Sequence, residues 1–147
     1  MTKVTIKIDA AAFMADIDAL IAAVDTATRE AVVLGAQVIE KTSKESFGPA
    51  HRKGTPKTSD KPQSVTGTLR RSIHMTEVTA LGGGTWQSKV APTVIYGRRI
   101  ELGFSGTDSL GRRYNQPPYP YMQPGLDKAH DSLSDIFEAT WGAAIAK

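Results

Sequence analysis

Residues 9–46 read DAAAFMADIDALIAAVDTATREAVVLGAQVIEKTSKES, the only long stretch of the chain with one sustained hydrophobic period. Phe13, Ile17, Leu20, Ile21, Val24, Ala27, Ala31, Leu34, Val38 and Ile39 recur at three- and four-residue steps, the pattern of one buried face on a helix. The apolar positions before and after Asp25 fall in the same arc, so a single helix of about 54 Å is geometrically possible. Asp9 suits its N-cap. Asp25, Thr26 and Thr28 are weak helix formers, and they predict a bend or break between 25 and 28. Arg29, Glu30, Gln37, Glu40, Lys41 and Lys44 take the opposite side. Val33 sits among them, either as an incidental exposed residue or as part of a subunit contact.

Outward from this helix the pattern changes. On its N-terminal side Val4, Ile6 and Ile8 alternate with Thr5 and Lys7, which predicts a short half-buried strand. On its C-terminal side, residues 47–63 hold Gly48, Pro49, Gly54, Pro56 and Pro62 among basic and hydroxyl residues without a period, which predicts a long, mobile, positively charged loop. Thr66 suits the cap of a short turn through Leu69 and Arg70. Residues 72–79 and 86–90 read as two strands joined by Gly82, Gly83 and Gly84, with Trp86, Ser88 and Val90 on one face. Pro92 ends the second strand or confines it to an edge. Residues 94–102 leave room for one more strand, and residues 104–117 read as a second loop. The run Pro117, Pro118, Tyr119, Pro120, Tyr121 is extended, because each proline disfavours helix in the residue before it. Pro124 suits the first turn of a last helix. Leu126, Ala129, Leu133, Ile136, Phe137, Thr140 and Ala144 mark the buried stripe of that helix. The expected architecture is α+β in a single domain over 1–147: a long N-terminal and a C-terminal helix on one face of a small, mostly antiparallel sheet, with long loops.

A chain of 147 residues fits one domain with a real core. It holds no run of about 18 apolar residues, and its first residues do not read as a secretory signal. The absence of cysteine removes disulfides, thiolate metal sites and cysteine nucleophiles. A net charge of +3 does not by itself argue for nucleic acid, but the cations are clustered. Arg52, Lys53, Lys57 and Lys61 crowd one loop, and Arg70 with Arg71, Arg98 with Arg99, and Arg112 with Arg113 form three basic pairs.

Signatures of chemistry are sparse. His51, His74 and His130 have no metal-ligand spacing, and no metal or cofactor is expected. Asp131, Asp135 and Glu138 share one side of the last helix, as a solvated face does. The glycine run is followed by Thr85 and Trp86, not by the lysine and helix of a phosphate-binding loop, and no Gly-x-Ser-x-Gly elbow presents a nucleophile. The pattern argues against an enzyme. The loop carrying Arg52, Lys53, Lys57 and Lys61 could meet phosphates, although it contains no aromatic residue to stack on bases. Repeated around a ring, its weak field would add up.

Three stretches together resemble the small tail-component, or tail-completion, proteins of long-tailed bacteriophages. The first runs Thr66, Gly67, Thr68, Leu69, Arg70, Arg71, Ser72, Ile73, where the family reads Asp-Thr-Gly-x-Leu-Arg-x-Ser and Val65 stands in place of the Asp. The second is the spacing of Tyr96, Glu101 and Gly103. The third, from Pro118 through Pro120 and Pro124 to Leu126, is similar to the proline-aromatic lead-in to the family's C-terminal helix. The resemblance implies a structural virion protein without a catalytic step, located at the head–tail junction and assembled in the bacterial cytoplasm. It further implies a ring, expected to hold six copies, that contacts neighbouring neck and tail-tube proteins and lets DNA cross its lumen without sequence specificity. On that reading Arg52, Lys53, Lys57 and Lys61 are lumen candidates, and Val33, Tyr96, Arg98, Arg99, Glu101, Tyr119 and Tyr121 are interface candidates. For the three tyrosines, partly buried core packing is the competing reading. Glu101 could accept backbone N–H groups or pair with Arg70 or Arg99. The tail terminator that caps the tail tube is the nearest variant, and a monomeric nucleic-acid-binding module using the basic loop is the alternative of another class.

Overall fold

The structure, a computed structural model, describes residues 9–50 and 60–146. The strand expected over 4–8 and most of the basic loop lie outside the described residues. Helix α1 spans Ala10–Glu45, and the Asp9 carboxylate caps it by accepting the Ala12 N–H at 3.0 Å. No break interrupts it at 25–28. The Thr26 and Thr28 hydroxyls donate back to the Ala22 and Val24 carbonyls at 2.9 and 2.7 Å, and Asp25 accepts the Trp86 indole N–H at 2.9 Å. Each weak helix former is thus satisfied in the helical conformation, which removes the reason for a break.

The second long helix, α4, spans Met122–Ile145, with Pro124 in its first turn. It runs antiparallel to α1, because the contacts pair Thr42 with Gly125, Gly35 with Leu133 and Thr28 with Trp141. Small residues line this crossing. Ala27, Ala31, Gly35, Ala36 and Ser43 are the buried residues of α1, and Gly125 and Ala129 those of α4. The approach is close enough that a Cβ on Gly125 would lie 2.5 Å from the Ser43 Cα, and one on Gly35 2.9 Å from the Leu133 Cδ2. The spacings 27–31–35 and 125–129–133 are four-residue ridges, which interdigitate when the side chains between them are small. The expected stripe is therefore displaced: Leu34, read as buried, is 37% exposed, and Leu126 is exposed too.

Among the described residues six short strands form three antiparallel pairs, not one sheet. Strand β1 (Ile73–Met75) pairs with β4 (Val90–Pro92), placing Pro92 opposite Ile73 at the end of its ladder. Strands β2 (Thr79–Gly82) and β3 (Thr85–Gln87) form the tip of the same arm, closed by Gly82, Gly83 and Gly84 at φ of 90°, 58° and 73°. Three successive left-handed residues need glycine. The two ladders are linked where Thr76 donates its N–H to the Lys89 carbonyl at 2.8 Å and accepts the Lys89 N–H on its hydroxyl at 3.0 Å. The alternation read from the sequence holds, with Trp86, Ser88 and Val90 half-buried while Gln87 and Lys89 are exposed.

A short helix, α2 (Thr68–Arg71), precedes the arm, and a second, α3 (Gly97–Leu102), with a hairpin of β5 (Phe104–Thr107) and β6 (Arg113–Gln116), lies between the arm and α4 in the chain. Two expectations are corrected here. Residues 97–102 are helical, not a strand, and residues 104–116 form a hairpin, not an open loop. Asp108 organises that hairpin by accepting the N–H groups of Leu110 and Arg112, the Arg112 guanidinium N–H at 2.7 Å and the Tyr114 hydroxyl. Burial pushes the Asp108 carboxyl up, but these donors outweigh it and hold it below the usual carboxylate range.

Candidate assembly surfaces

The three motif stretches meet at one joint. Glu101, on α3, accepts the N–H groups of Tyr121 and Met122 on one carboxylate oxygen at 2.7 and 3.0 Å and that of Gln123 on the other at 3.1 Å. Tyr121, the residue at the N-cap position of α4, makes no side-chain cap of its own. Glu101 supplies both the missing acceptors and a negative charge at the positive end of the helix dipole. The extended lead-in is fixed on the same helix, with the Tyr119 N–H donating to the Ile100 carbonyl at 2.7 Å. Tyr121 is fully buried, donates its hydroxyl to the Gly97 carbonyl at 3.1 Å and packs its ring 4.9 Å from that of Phe47. Burial first, then the charge of Glu101, pushes the Tyr121 phenol well above its ordinary pKa. Tyr121 is thus a packing residue, and its reading as an outward contact is corrected.

The first motif closes the other side of the joint. Gly67 takes φ +75° before α2, the Ser72 hydroxyl donates to the Leu69 carbonyl at 2.8 Å, and Ile73 is fully buried. The Thr66 hydroxyl accepts the Thr68 N–H at the start of α2 at 3.5 Å and pairs with the Thr68 hydroxyl at 2.9 Å. Leu69 of the first stretch and Tyr96 of the second share, with Ile100 and Phe47, the wall of a cavity of about 160 Å³ that Gln63, Ser64, Thr66 and Thr68 also line. Gly103, at φ +75°, leads from α3 into β5 beneath Pro118. Pro118 and Pro120 are exposed, and Pro124 and Val33 are half-buried.

The cations occupy the outside of this end. Arg70, Arg98 and Arg99 are exposed, and Arg99 lies over the Phe104 ring at 4.3 Å. Glu101 pairs with neither Arg70 nor Arg99; its oxygens are taken by α4. Lys44, Arg70, Arg71 and His74 line a cavity of about 700 Å³ next to the points where the basic loop leaves and rejoins the described chain. Lys61 is exposed, whereas Arg52, Lys53 and Lys57 lie outside the described residues. Glu40 bonds to Lys44 and accepts the Met75 N–H at 2.8 Å, and its carboxyl is held below the usual range, chiefly by Lys44.

Beside single exposed residues such as Ile95 and Leu110, two extended apolar surfaces are uncovered among the described residues. Helix α4 is 24 residues long against 36 for α1, so about 18 Å of α1 extends beyond it. Phe13, Met14, Leu20 and Ile21 are exposed on that extension, Ile21 at 62%. The second surface is a groove of about 580 Å³, with α4 as one wall and the strand residues Ser88 and Val90 as the other. Its floor is Ala31, Gly35, Ala36 and Ile39 of α1, and Leu102 stands at its end. No local sequence pattern signals this groove, since it arises from two helices, a strand and α3 that are distant in the chain.

Among the described residues no group of three or more His, Asp or Glu side chains is placed to hold a metal ion. No helix among them is long and apolar enough to cross a membrane. Neither a family model, nor a curated protein, nor a solved structure matches the chain.

Proposed function

We propose that the chain is a structural virion protein of a long-tailed bacteriophage, forming a homo-oligomeric ring at the head–tail junction that completes or docks the tail and lets DNA pass. The observation that carries this reading is the convergence of the three family-like stretches on one joint, where Glu101 ties α3 to the start of α4. A shared motif set that builds one local structure is better support than three unconnected similarities. The uncovered apolar surfaces of α1 and the groove add to it, since exposed patches of this kind mark contact with other molecules. Six copies is the number the resemblance implies, and the tail-terminator ring is the nearest variant. Light scattering and negative-stain images of the purified protein are expected to give rings, and immunolabelling of particles is expected to mark the neck. A chain missing from purified particles would remove the reading.

One observation favours a second reading, a monomeric module binding nucleic acid: the cavity lined by Lys44, Arg70, Arg71 and His74 at the base of the basic loop. It requires salt-dependent binding to short duplexes that weakens when Lys53 and Lys57 become Glu. Flat titrations at low salt would eliminate it.

A further inference from the structure

We infer that the cavity between the end of α1 and α2 is a binding site for a phosphate group, carried on a nucleotide-sized molecule or on a nucleic-acid strand. The inference deepens the nucleic-acid reading and moves its weight from the basic loop to residues of the described chain. Lys44 comes from the last turn of α1, Arg70 and Arg71 from α2, and His74 from β1, so three elements bring four basic side chains to one space of about 700 Å³. No Asp or Glu lines it. Glu40 and Glu45 line the neighbouring cavity instead. Of the four basic groups, Lys44 is bonded to Glu40, and the His74 Nδ1 lies 3.8 Å from the same carboxylate, which leaves the two arginines as the uncompensated charge.

Those arginines single this cavity out. Among the described residues neither forms an ion pair, whereas Arg112 is bonded to Asp108 and Arg99 lies over the Phe104 ring. Neighbouring guanidinium groups without a counter-charge repel each other, and a bound anion relieves that repulsion. Room for one of them is built into the backbone: Arg71 folds back over Gly67, where a Cβ would lie 2.8 Å from the Arg71 Nη1. The planar fork of a guanidinium matches two oxygens of a phosphate. The rest of the lining suits what the phosphate is attached to. Ser64 and Thr66 supply hydroxyls, Phe47 and Val65 supply apolar surface, and the volume is that of a small-ligand pocket and well above that of one phosphate.

The test uses the full chain and three probes: orthophosphate, thymidine monophosphate, and a short oligothymidylate without a terminal phosphate. Amide NMR at low salt is expected to show the probes shifting signals of residues 64–74 and leaving those of the β5–β6 hairpin unmoved. Arg70→Ala and Arg71→Ala, both at exposed positions, are each expected to weaken binding at least about tenfold. Arg71→Lys keeps the charge, loses the fork and is expected to fall between. Circular dichroism with a melting curve checks that these variants fold. Lys53→Glu with Lys57→Glu, the substitutions that test the loop, are expected to weaken the strand and not orthophosphate. Binding of orthophosphate and the mononucleotide without the strand identifies a free phosphate ligand, which keeps the inference and removes the nucleic-acid reading; binding of the strand through the same arginines identifies a phosphodiester and keeps both. Folded arginine variants that bind as the unsubstituted chain does overturn the inference, and a strand then lost only in the Lys53 and Lys57 variant leaves the nucleic-acid reading on the loop alone. A chain whose signals move with none of the probes overturns both and leaves the ring reading standing.

Discussion

The two halves of α1 share one hydrophobic period and carry opposite side chains. From Ala27 to Ser43 its buried positions are Ala, Gly and Ser, and α4 lies against them; between Phe13 and Ile21 the large side chains Phe13, Met14, Leu20 and Ile21 are exposed. Small residues mark where a second helix of the same chain approaches closely, because backbone contact leaves no volume for more. Large residues left in solvent mark a surface that α4 does not reach. Periodicity locates an apolar face, and side-chain size indicates what kind of neighbour that face takes.

Substitutions separate the two halves. The largest loss is expected for Gly125→Ala, whose new Cβ would lie 2.5 Å from the Ser43 backbone. Helix separation there is expected to cost about 3 kcal/mol in a denaturant titration. A cost below about 1 kcal/mol would mean that the helices can part without loss. Glu101→Ala, which strips the start of α4 of its acceptors, is expected to cost about 2 kcal/mol, with Glu101→Gln recovering part of it. Leu34→Ala is expected to cost about 1 kcal/mol, well short of the 2–5 kcal/mol of a fully buried leucine, because Leu34 is partly exposed.

Smaller still is the acid effect of Glu40. Its folded pKa is depressed below the ordinary 4.5, so its contribution is present above that value and is lost as the pH falls through the folded pKa. Glu40→Gln is therefore expected to flatten the melting temperature against pH below about 4.5 and to leave the slope above it unchanged. Ile21→Ser is expected to alter the stability of the monomer by less than about 0.5 kcal/mol, since its side chain touches solvent. A large loss there would place a partner within the chain itself and end the contrast between the halves.

How far the motif site could be read from sequence follows the same division. Tyr96, Glu101 and Gly103, and the proline-aromatic run, were visible as separate stretches, and backbone acceptance was among the roles open to Glu101. That its acceptors would serve α4, with Tyr121 buried against Phe47, depends on contacts 20 and more residues apart that no local pattern encodes. The β5–β6 hairpin left one usable signal, Asp108 followed by Gly111 between two short runs, which was too weak to outweigh the surrounding glycine and serine.

What the sequence determined was local: a helix starting at Asp9 and ending by Ser46, a last helix led in by Pro124, a glycine turn at 82–84 and the α+β class that these elements add up to. Caps, turns and periods act within a few residues, so they are legible in order along the chain. Tertiary structure decided the rest: that the helix passes Asp25 unbroken, that small residues and not Leu34 face α4, that 97–102 coils into a helix under Tyr121, and that α4 stops short and leaves the first turns of α1 bare. Those outcomes depend on the lengths and volumes of elements far apart in sequence, which meet only when the chain has folded.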